Sequence, residues 1–370
     1  MVVKQNLFKM KLKLLLMAAL FSFEVFAQQP NDHRVIVITT DGFRWQEVFK
    51  GLDAEIVKMK RFHHGDSLRL VETYGAKTEA ESRAKLMPFL WNTVVKQGQL
   101  HGNRNVGSLV NVTNPYWFSY PGYSEILTGQ VDVQVNSNDY QPNPNTNFFE
   151  YLNGLPAYKG SVAAFGAWDA FGRILNEERA GFPVVNAFDS YHSYVKTKDS
   201  ELLSRMTKDS FRAFGGVEVL DVFMHYQAMD YLKNKKPKAL YISYGDTDEF
   251  AHEGTYNHYL DAAHRVDAWI AEIWNFVESD PLYKGKTTIL ITTDHGRGDA
   301  IKTEWTSHGE KVKDCHEIWY AMLGANVPAL GEVKTSEQVY QKELIHKLAA
   351  AMGTLFTSER REQTKSGSRP

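Results

Sequence analysis

Three apolar runs, far apart along the chain, each end in acidic or imidazole side chains, and this feature constrains the fold most strongly. The runs and the groups that follow them are 34–40 with Asp41, 239–244 with Asp248 and His252, and 287–293 with Asp294 and His295. Continuous Val, Ile, Leu and Tyr runs of this length are typical of parallel strands that are covered on both faces. Because open α/β sheets build their sites at the carboxyl ends of such strands, we expect these groups to lie close together.

The rest of the chain alternates between strand and helix patterns, which predicts an α/β fold with a mostly parallel central sheet and helices on both faces. The further predicted elements are helices at about 87–97, 217–232, 256–278 and 336–351, and strands near 161–165 and at 317–323. Residues 130–215 are rich in Asn, Pro, Tyr and Phe, and we interpret them as a loop-rich cap beside the site. We expect one domain over 28–352 and a polar tail over 353–370.

The first 27 residues have the pattern of a signal peptide. Lysines precede the apolar run 14–21, and small residues stand before a cleavage site after Ala27. We therefore expect a periplasmic or secreted protein without a stable membrane anchor, and an uncleaved anchor is the alternative. Cys315 is the only cysteine, which excludes an internal disulfide and is ordinary for a bacterial periplasm.

The spacing of the acidic and imidazole groups predicts metal binding. Asp248 and His252 are four residues apart, so a helix there places both on one face, able to hold one cation. Asp246 is the competing carboxylate, but it stands six residues from His252 and needs a different loop path. Asp294 and His295 are adjacent on a strand end, so they project in different directions and can serve two ions. More ligand-type groups gather here than one ion needs, which predicts a two-metal site.

A third histidine is needed to complete the predicted coordination. His308 follows His295 in a polar loop and is our candidate, with His316 as the alternative. His264 lies off the apolar stripe of the predicted 256–278 helix, so we assign it to a solvated polar face. Oxygen and nitrogen ligands without thiolate favour zinc or manganese, and three histidines favour zinc.

A side-chain hydroxyl is the predicted nucleophile. The best candidate is Ser119, in the segment Ser119-Tyr-Pro-Gly-Tyr-Ser-Glu-Ile-Leu-Thr-Gly129. Pro121 and Gly122 predict a turn, followed by a short helix that ends at Gly129. Ser119 would then lie at the helix N-terminus, where free amide groups favour a phosphoryl oxygen. A purely structural N-cap is the alternative role for this serine, and a bridging water is the alternative nucleophile.

The order of these residues resembles the alkaline phosphatase superfamily over about residues 34–325. The segment at Ser119 is similar to that of the type I phosphodiesterase/nucleotide pyrophosphatase branch, which usually carries Thr at this position. The resemblance implies an alkaline phosphatase-like three-layer sandwich with two divalent ions. It assigns one ion to Asp248, His252 and His308, and the other to Asp41, Ser119, Asp294 and His295.

The resemblance also implies residues that contact the substrate. Asn138 is the candidate to hold a phosphoryl oxygen, with Asn136 as the alternative. Arg297 is a candidate phosphate contact, with a surface salt bridge as the alternative role. Tyr123 stands where a sulfatase carries the Arg of its formylglycine signal, which disfavours sulfatase activity. The mutase branch needs a large inserted domain, for which this chain has little room.

These expectations together describe an exported, metal-dependent phosphoric ester hydrolase that forms a phosphoserine intermediate. Its substrate would be a small-molecule phosphate ester, with phosphodiester or nucleotide-type substrates favoured. The alternatives are a phosphomonoesterase, a sulfatase, a phosphoglycerate mutase-like enzyme, and a metal-binding protein without catalysis. The 370-residue chain has a net charge of −2, which gives no footprint for nucleic acid.

Overall fold

The strands of this computed structural model, which describes residues 32–361, include the three apolar runs as their longest members. The strands are β1 (Arg34–Thr40), β2 (Gln99–His101), β3 (Leu109–Asn111), β4 (Val162–Gly166), β5 (Val184–Asn186), β6 (Ala239–Tyr244), β7 (Thr287–Thr292), β8 (Tyr320–Gly324), β9 (Gly331–Glu332) and β10 (Gln338–Tyr340). β1, β6 and β7 are buried along their whole length. Such burial requires that both faces of the sheet are covered.

β1 lies at the centre of an eight-stranded sheet with the order β5-β4-β6-β1-β7-β8-β2-β9, and β10 pairs separately with β3. β1 runs parallel to both neighbours, and Val37 pairs with Tyr241 of β6 and with Leu290 of β7. β4 and β5 extend the parallel part, whereas β8 and β2 add antiparallel pairs beyond β7. The prediction of a mostly parallel central sheet is confirmed.

Helices cover both faces of this sheet, as predicted. Within the described residues the α-helices are α1 (Trp45–Lys50), α2 (Ala54–Val57), α3 (Ser67–Tyr74), α4 (Glu79–Leu86), α5 (Val95–Gln97), α6 (Ser119–Thr128), α7 (Phe148–Gly154), α8 (Phe171–Ile174), α9 (Glu177–Ala180), α10 (Lys198–Asp209), α11 (Asp221–Lys235), α12 (Asp246–His252), α13 (Tyr256–Ser279) and α14 (Leu344–Ala351).

Alternation along β1 divides the core into two layers, because successive strand residues point to opposite faces. Ile36 and Ile38 pack with side chains of α11 and α13 on one face. Val35 and Val37 pack with side chains of α6, α7 and α14 on the other. Burying each such aliphatic side chain contributes about 1.5–3 kcal/mol. These two layers hold β1 rigidly, and with it the residue that follows its carboxyl end.

Two predicted helices differ from the structure. The helix predicted at 336–351 begins only at Leu344, because residues 338–340 form β10 and pair in parallel with β3. The helix predicted at about 87–97 is divided into a π-helical turn, Leu90–Val94, followed by α5. In the first case a pairing between distant segments overrides the local helical pattern.

Most of the segment 130–215 is built differently from the predicted loop-rich cap. Residues 130–147 contain no named helix or strand, but the remainder carries α7 to α10 and contributes β4 and β5 to the central sheet. The first part of the predicted polar tail packs on this region, since the ring of Phe356 lies 5.3 Å from those of Phe148 and Tyr151. The segment therefore belongs to the sandwich.

The predicted signal peptide, including Ala27, lies outside the described residues, and the domain boundaries at 28 and 352 stay predictions. None of the helices within residues 32–361 combines the length and apolar character that a membrane span needs. Cys315 is buried with a free thiol.

Candidate metal centre and nucleophile

The carboxyl ends of β6, β1 and β7 bring the predicted ligands to one edge of the sheet. Asp41 directly follows β1, Asp294 and His295 follow β7, and Asp248 lies in the first turn of α12 after β6. Because these three strands are hydrogen-bonded neighbours with β1 in the middle, groups that are distant in sequence converge here. This is the placement expected for a site in an open α/β sheet.

Asp41, Asp294 and His295 form a buried group that we call the inner cluster. His295 Nε2 lies 3.3 Å from Asp41 Oδ1 and 3.4 Å from Asp294 Oδ2. The other ring nitrogen of His295, Nδ1, lies 2.9 Å from the carbonyl oxygen of Gly296. Since a carbonyl oxygen only accepts, Nδ1 carries a proton in that bond, and in the neutral ring the lone pair of Nε2 faces the two carboxylates.

The inner cluster has the donor set of a cation site. Asp41 Oδ1 and Asp294 Oδ2 are buried oxygens that receive no hydrogen bond from the described residues. Burial, together with the charge of Asp41, raises the pKa of Asp294 well above its ordinary value. Burial lowers the pKa of His295, but Asp294 and Asp41 outweigh it and raise that pKa to about 9. Unpaired buried carboxylates are costly, and a divalent ion bound by these oxygens and the imidazole would relieve the cost.

Asp248, His252 and His308 form a second group, the outer cluster, in which His252 is exposed. Asp248 Oδ2 lies 3.0 Å from His252 Nε2, as the four-residue spacing on a helix predicts. His308 reaches the same place from its loop, and its Nε2 lies 3.0 Å from that of His252. Two imidazole nitrogens facing each other beside a carboxylate fit a shared cation.

The two clusters adjoin each other. His295 Nε2 of the inner cluster lies 3.7 Å from Asp248 Oδ1 of the outer cluster. The rings of His295 and His308 stack with centroids 3.9 Å apart. All six predicted amino-acid ligands other than the serine therefore surround one space.

Ser119 is the first residue of α6, and its Oγ lies 3.4 Å from His295 Nε2. The helix ends at Gly129, whose φ of 66° is left-handed, as predicted from the sequence. Gly122 permits the close approach of α6 to the inner cluster, because a Cβ there would lie 2.5 Å from the carbonyl oxygen of Asp294. The predicted turn at Pro121 and Gly122 is wrong, because both residues lie in the first turn of α6, where the fixed φ of Pro121 suits a helix. The close approach at Gly122 places Ser119 against the predicted ligands.

Asn138 lies beside the start of α6. Its Oδ1 accepts a hydrogen bond of 3.0 Å from the backbone N–H of Tyr120. That bond occupies the side-chain oxygen, so the Nδ2 amide is the group with which Asn138 would meet a substrate. Asn136, the alternative, is exposed.

Arg297 is buried, so the alternative role of a surface salt bridge is wrong. Its Nη2 pairs with the Asp248 carboxylate and donates to the Asp248 carbonyl oxygen at 3.0 Å. Its Nε and Nη1 have no hydrogen-bond partner among the described residues. Burial raises the pKa of Asp248, but Arg297 and the neighbouring histidines outweigh it and hold that pKa well below its usual range. Arg297 therefore keeps Asp248 ionised within the outer cluster.

The competing candidates lie elsewhere. The Asp246 carboxylate accepts a hydrogen bond of 3.1 Å from the backbone N–H of Asp221. The ring of His316 packs against Trp117 at 5.0 Å between centroids. His264 Nδ1 bonds the carbonyl oxygen of Leu86 at 2.8 Å.

Two residues that contact Asp41 were not assigned from the sequence. Thr247 Oγ1 donates to the Asp41 carbonyl oxygen at 2.6 Å, and the Tyr123 hydroxyl donates to Asp41 Oδ2 at 2.9 Å. Tyr123 follows Ser119 by one helical turn, which was the available signal, whereas nothing in the sequence pointed to Thr247.

Comparisons with known proteins agree with this architecture. Residues 220–312, which include five of the predicted metal ligands, match the family model described as "Metalloenzyme superfamily". The lipoteichoic acid synthase LtaP from Listeria monocytogenes superposes with a TM-score of 0.53 at 12% identity, covering 87% of this chain and 72% of its own. The wild-type alkaline phosphatase PafA superposes with a TM-score of 0.53 at 9% identity, covering 90% and 98%.

The chain has an alkaline phosphatase-like fold. The predicted resemblance to the alkaline phosphatase superfamily is confirmed in its fold, and the family match supports the coarser prediction of a metalloenzyme. Among curated proteins, GPI ethanolamine phosphate transferase 1 from Mus musculus is 23% identical over 248 residues. That alignment covers 66% of this chain but only 24% of the transferase, so the chain spans about a quarter of its relative's length.

Proposed function

We propose that this protein is an exported two-metal enzyme that hydrolyses phosphate esters, with Ser119 as its nucleophile. The observation that carries the proposal is the position of Ser119 Oγ, 3.4 Å from His295 Nε2, at a helix N-terminus beside the inner cluster. The alkaline phosphatase-like fold and the metalloenzyme match support this class of chemistry. Export rests on the sequence pattern before Ala27.

The donor atoms fit two divalent ions, and the histidines favour zinc over manganese. Asp41, Ser119, Asp294 and His295 would hold the inner ion, and Asp248, His252 and His308 would hold the outer one. When bound, such ions lower the pKa of a hydroxyl or water nucleophile and stabilise charge on the ester oxygens.

Ser119 would attack phosphorus and form a covalent phosphoserine, which keeps the second substituent when the substrate is a diester. The Oγ–phosphorus bond forms, the bond to the leaving alkoxide breaks, and the proton released from Oγ is balanced by the proton that the alkoxide takes up as an alcohol. Water then attacks the same phosphorus and releases a proton, and Oγ leaves with the pair of electrons and takes up one proton. In the first turn of α6 the Tyr120 N–H already donates to Asn138 Oδ1, Pro121 has no N–H, and the Gly122 N–H donates to the Phe118 carbonyl oxygen. The Ser119 N–H and the Asn138 Nδ2 group would therefore donate to a phosphoryl oxygen during both steps.

A phosphodiester is the favoured substrate. Arg297 is already paired with Asp248 and buried, so we assign it to positioning the outer cluster instead of to the phosphate contact expected from the sequence. The Asp248 carboxylate already offsets the charge of this guanidinium, so a phosphomonoester dianion would meet no uncompensated cationic side chain there, whereas a diester carries one charge less. Tyr116, Trp117 and Phe118 precede Ser119 and are partly exposed, so their rings would contact a second substituent.

A phosphotransferase is the second candidate. The similarity to a protein named as an ethanolamine phosphate transferase favours it. The first step would be the same, and an alcohol would replace water in the second.

A substrate panel with metal analysis tests the proposal. Purified protein would be assayed with chromogenic phosphodiester, phosphomonoester, phosphonate and sulfate substrates, with and without an added alcohol acceptor. We expect diester hydrolysis that requires zinc and is lost in Ser119→Ala. Transfer to the alcohol at the expense of hydrolysis would favour the second candidate, and hydrolysis of sulfate alone would contradict both.

A further inference from the structure

Four buried hydroxyl groups on β1, β6 and α6 form a hydrogen-bonded series, the hydroxyl chain, which ends at Asp41 of the inner cluster. Tyr241 OH lies 2.8 Å from Thr39 Oγ1, which lies 3.0 Å from Ser243 Oγ. Ser243 Oγ lies 3.1 Å from Tyr123 OH, and Tyr123 OH lies 2.9 Å from Asp41 Oδ2. The four hydroxyl side chains are at most 1% exposed.

Burial and the charge of Asp248 raise the pKa of Asp41, but as a metal ligand Asp41 would be ionised, and its carboxylate would then fix the direction of every bond in this series of hydroxyls. A carboxylate only accepts, so Tyr123 must give it the single proton of its hydroxyl. Tyr123 then accepts from Ser243, and Ser243 accepts from Thr39. Thr39 has no proton left for Tyr241 and therefore accepts from it. Each hydroxyl donates once, and the polarity of the chain runs from Tyr241 to Asp41.

The chain distinguishes the two oxygens of Asp41. Oδ2 is occupied by Tyr123, whereas Oδ1 receives no hydrogen bond from the described residues and faces His295. Tyr123 also stands on α6, one turn after Ser119, and so connects the nucleophile helix to a predicted ligand. One hydroxyl thereby sets both the rotation of the Asp41 carboxylate and its distance from the helix.

We propose that Tyr123 is a positioning residue for the inner metal ion. It holds Asp41 so that Oδ1 is presented to the ion, and the hydroxyl chain behind it keeps the Tyr123 proton directed at Oδ2. The inference rests on the proposed two-metal function. Partners of this kind behind a metal ligand are worth about 10- to 100-fold in metal affinity.

Zinc affinity of metal-free protein, titrated against a chromophoric chelator, tests the inference. Wild type should show two binding steps, and Tyr123→Phe should weaken one of them by about 10- to 100-fold. Tyr191→Phe is the matched control, because Tyr191 is equally buried and donates to the Asp230 carboxylate at 2.6 Å, away from both clusters. Tyr191→Phe should bind zinc in both steps with wild-type affinity.

Ser243→Ala keeps the test decisive if Tyr123→Phe does not fold. It removes the donor behind Tyr123 but leaves the bond to Asp41, so the same step should weaken by only about threefold. The inference would be overturned if Tyr123→Phe kept both zinc affinities or weakened both steps equally. If only Ser243→Ala folds, an unchanged zinc affinity in that variant would overturn it. A wild type that binds no zinc would overturn the proposed function itself, which separates the two failures.

Discussion

Gly122→Ala tests how closely α6 must approach the inner cluster. Gly122 lies inside α6 with a helical backbone, so alanine alone would favour the helix by about 1 kcal/mol. The added Cβ would, however, lie 2.5 Å from the carbonyl oxygen of Asp294 and 3.2 Å from the Asp294 Cβ. A backbone carbonyl at the end of β7 cannot turn aside as a flexible side chain does.

The clash therefore moves α6 outward, by about 1 Å if ordinary contact is restored, and Ser119 moves with it. Overpacking costs about 1–3 kcal/mol, and the helix gain offsets part of this, so stability should change little. A displacement of about 1 Å at the reacting atom is enough to lower turnover by about 100-fold. We therefore expect a large loss of turnover with little change in the melting temperature.

The assay is turnover of a chromogenic phosphodiester together with thermal unfolding of the same preparations. Gly154→Ala is the control, because Gly154 is also helical and a Cβ there meets nothing within 4 Å. It should keep full activity and raise the melting temperature slightly. If Gly122→Ala behaved in the same way, the close approach of α6 would have no role in positioning Ser119.

Three further predictions concern the clusters and acid stability. Ser119→Ala should lower turnover by several orders of magnitude and keep most of the metal, as checked by kinetics and elemental analysis; near-normal turnover would make a bridging hydroxide the nucleophile. The outer site should be emptied by each of Asp248→Asn, His252→Ala and His308→Ala, and the inner site by Asp41→Asn or Asp294→Asn. Both sites should stay filled in His316→Ala and His264→Ala. Crystals soaked in limiting zinc would show which position is lost. Burial lowers the pKa of His101 to about 4, so its stabilising contribution is present above about pH 6.5 and is lost as the pH falls towards 4. The free energy of unfolding of wild type, measured by denaturant titration, should therefore fall more steeply over that range than that of His101→Gln, and parallel curves would contradict this.

The strands that carry the site were predictable because their own residues determine them. β1, β6 and β7 are continuous apolar runs, and their boundaries differ from the predictions by no more than one residue. The same local logic predicted the end of α6 at Gly129 and the pairing of Asp248 with His252 on one helix face. The polar loop after His295 made His308 a candidate, with His316 as the alternative. The family resemblance assigned it to the ion of Asp248 and His252, because its loop reaches the outer cluster only through the tertiary fold.

The remaining features depend on contacts that no local pattern contains. Arg297 stands in a polar loop after β7, where a charged residue is usually exposed. Its burial is explained only by its pairing with Asp248 across the site. From the sequence, Tyr123 cannot be distinguished from an ordinary core tyrosine. Its role depends on Ser243 of β6 and Thr39 of β1, which the fold brings beside it. The strand Gln338–Tyr340 was assigned to a helix because its partner, β3, is distant in sequence.

Trapping the covalent intermediate is the most direct test of the central claim. Zinc-loaded protein mixed with a phosphodiester substrate would be quenched in acid within the first turnovers, digested, and mapped by mass spectrometry. The account predicts on Ser119, in the peptide that contains Tyr120 to Gly129, a phosphoryl group that still carries the second substituent of the diester, and its absence from Ser119→Ala. Rapid hydrolysis with no modification of Ser119, or a phosphoryl group on another residue, would contradict the account.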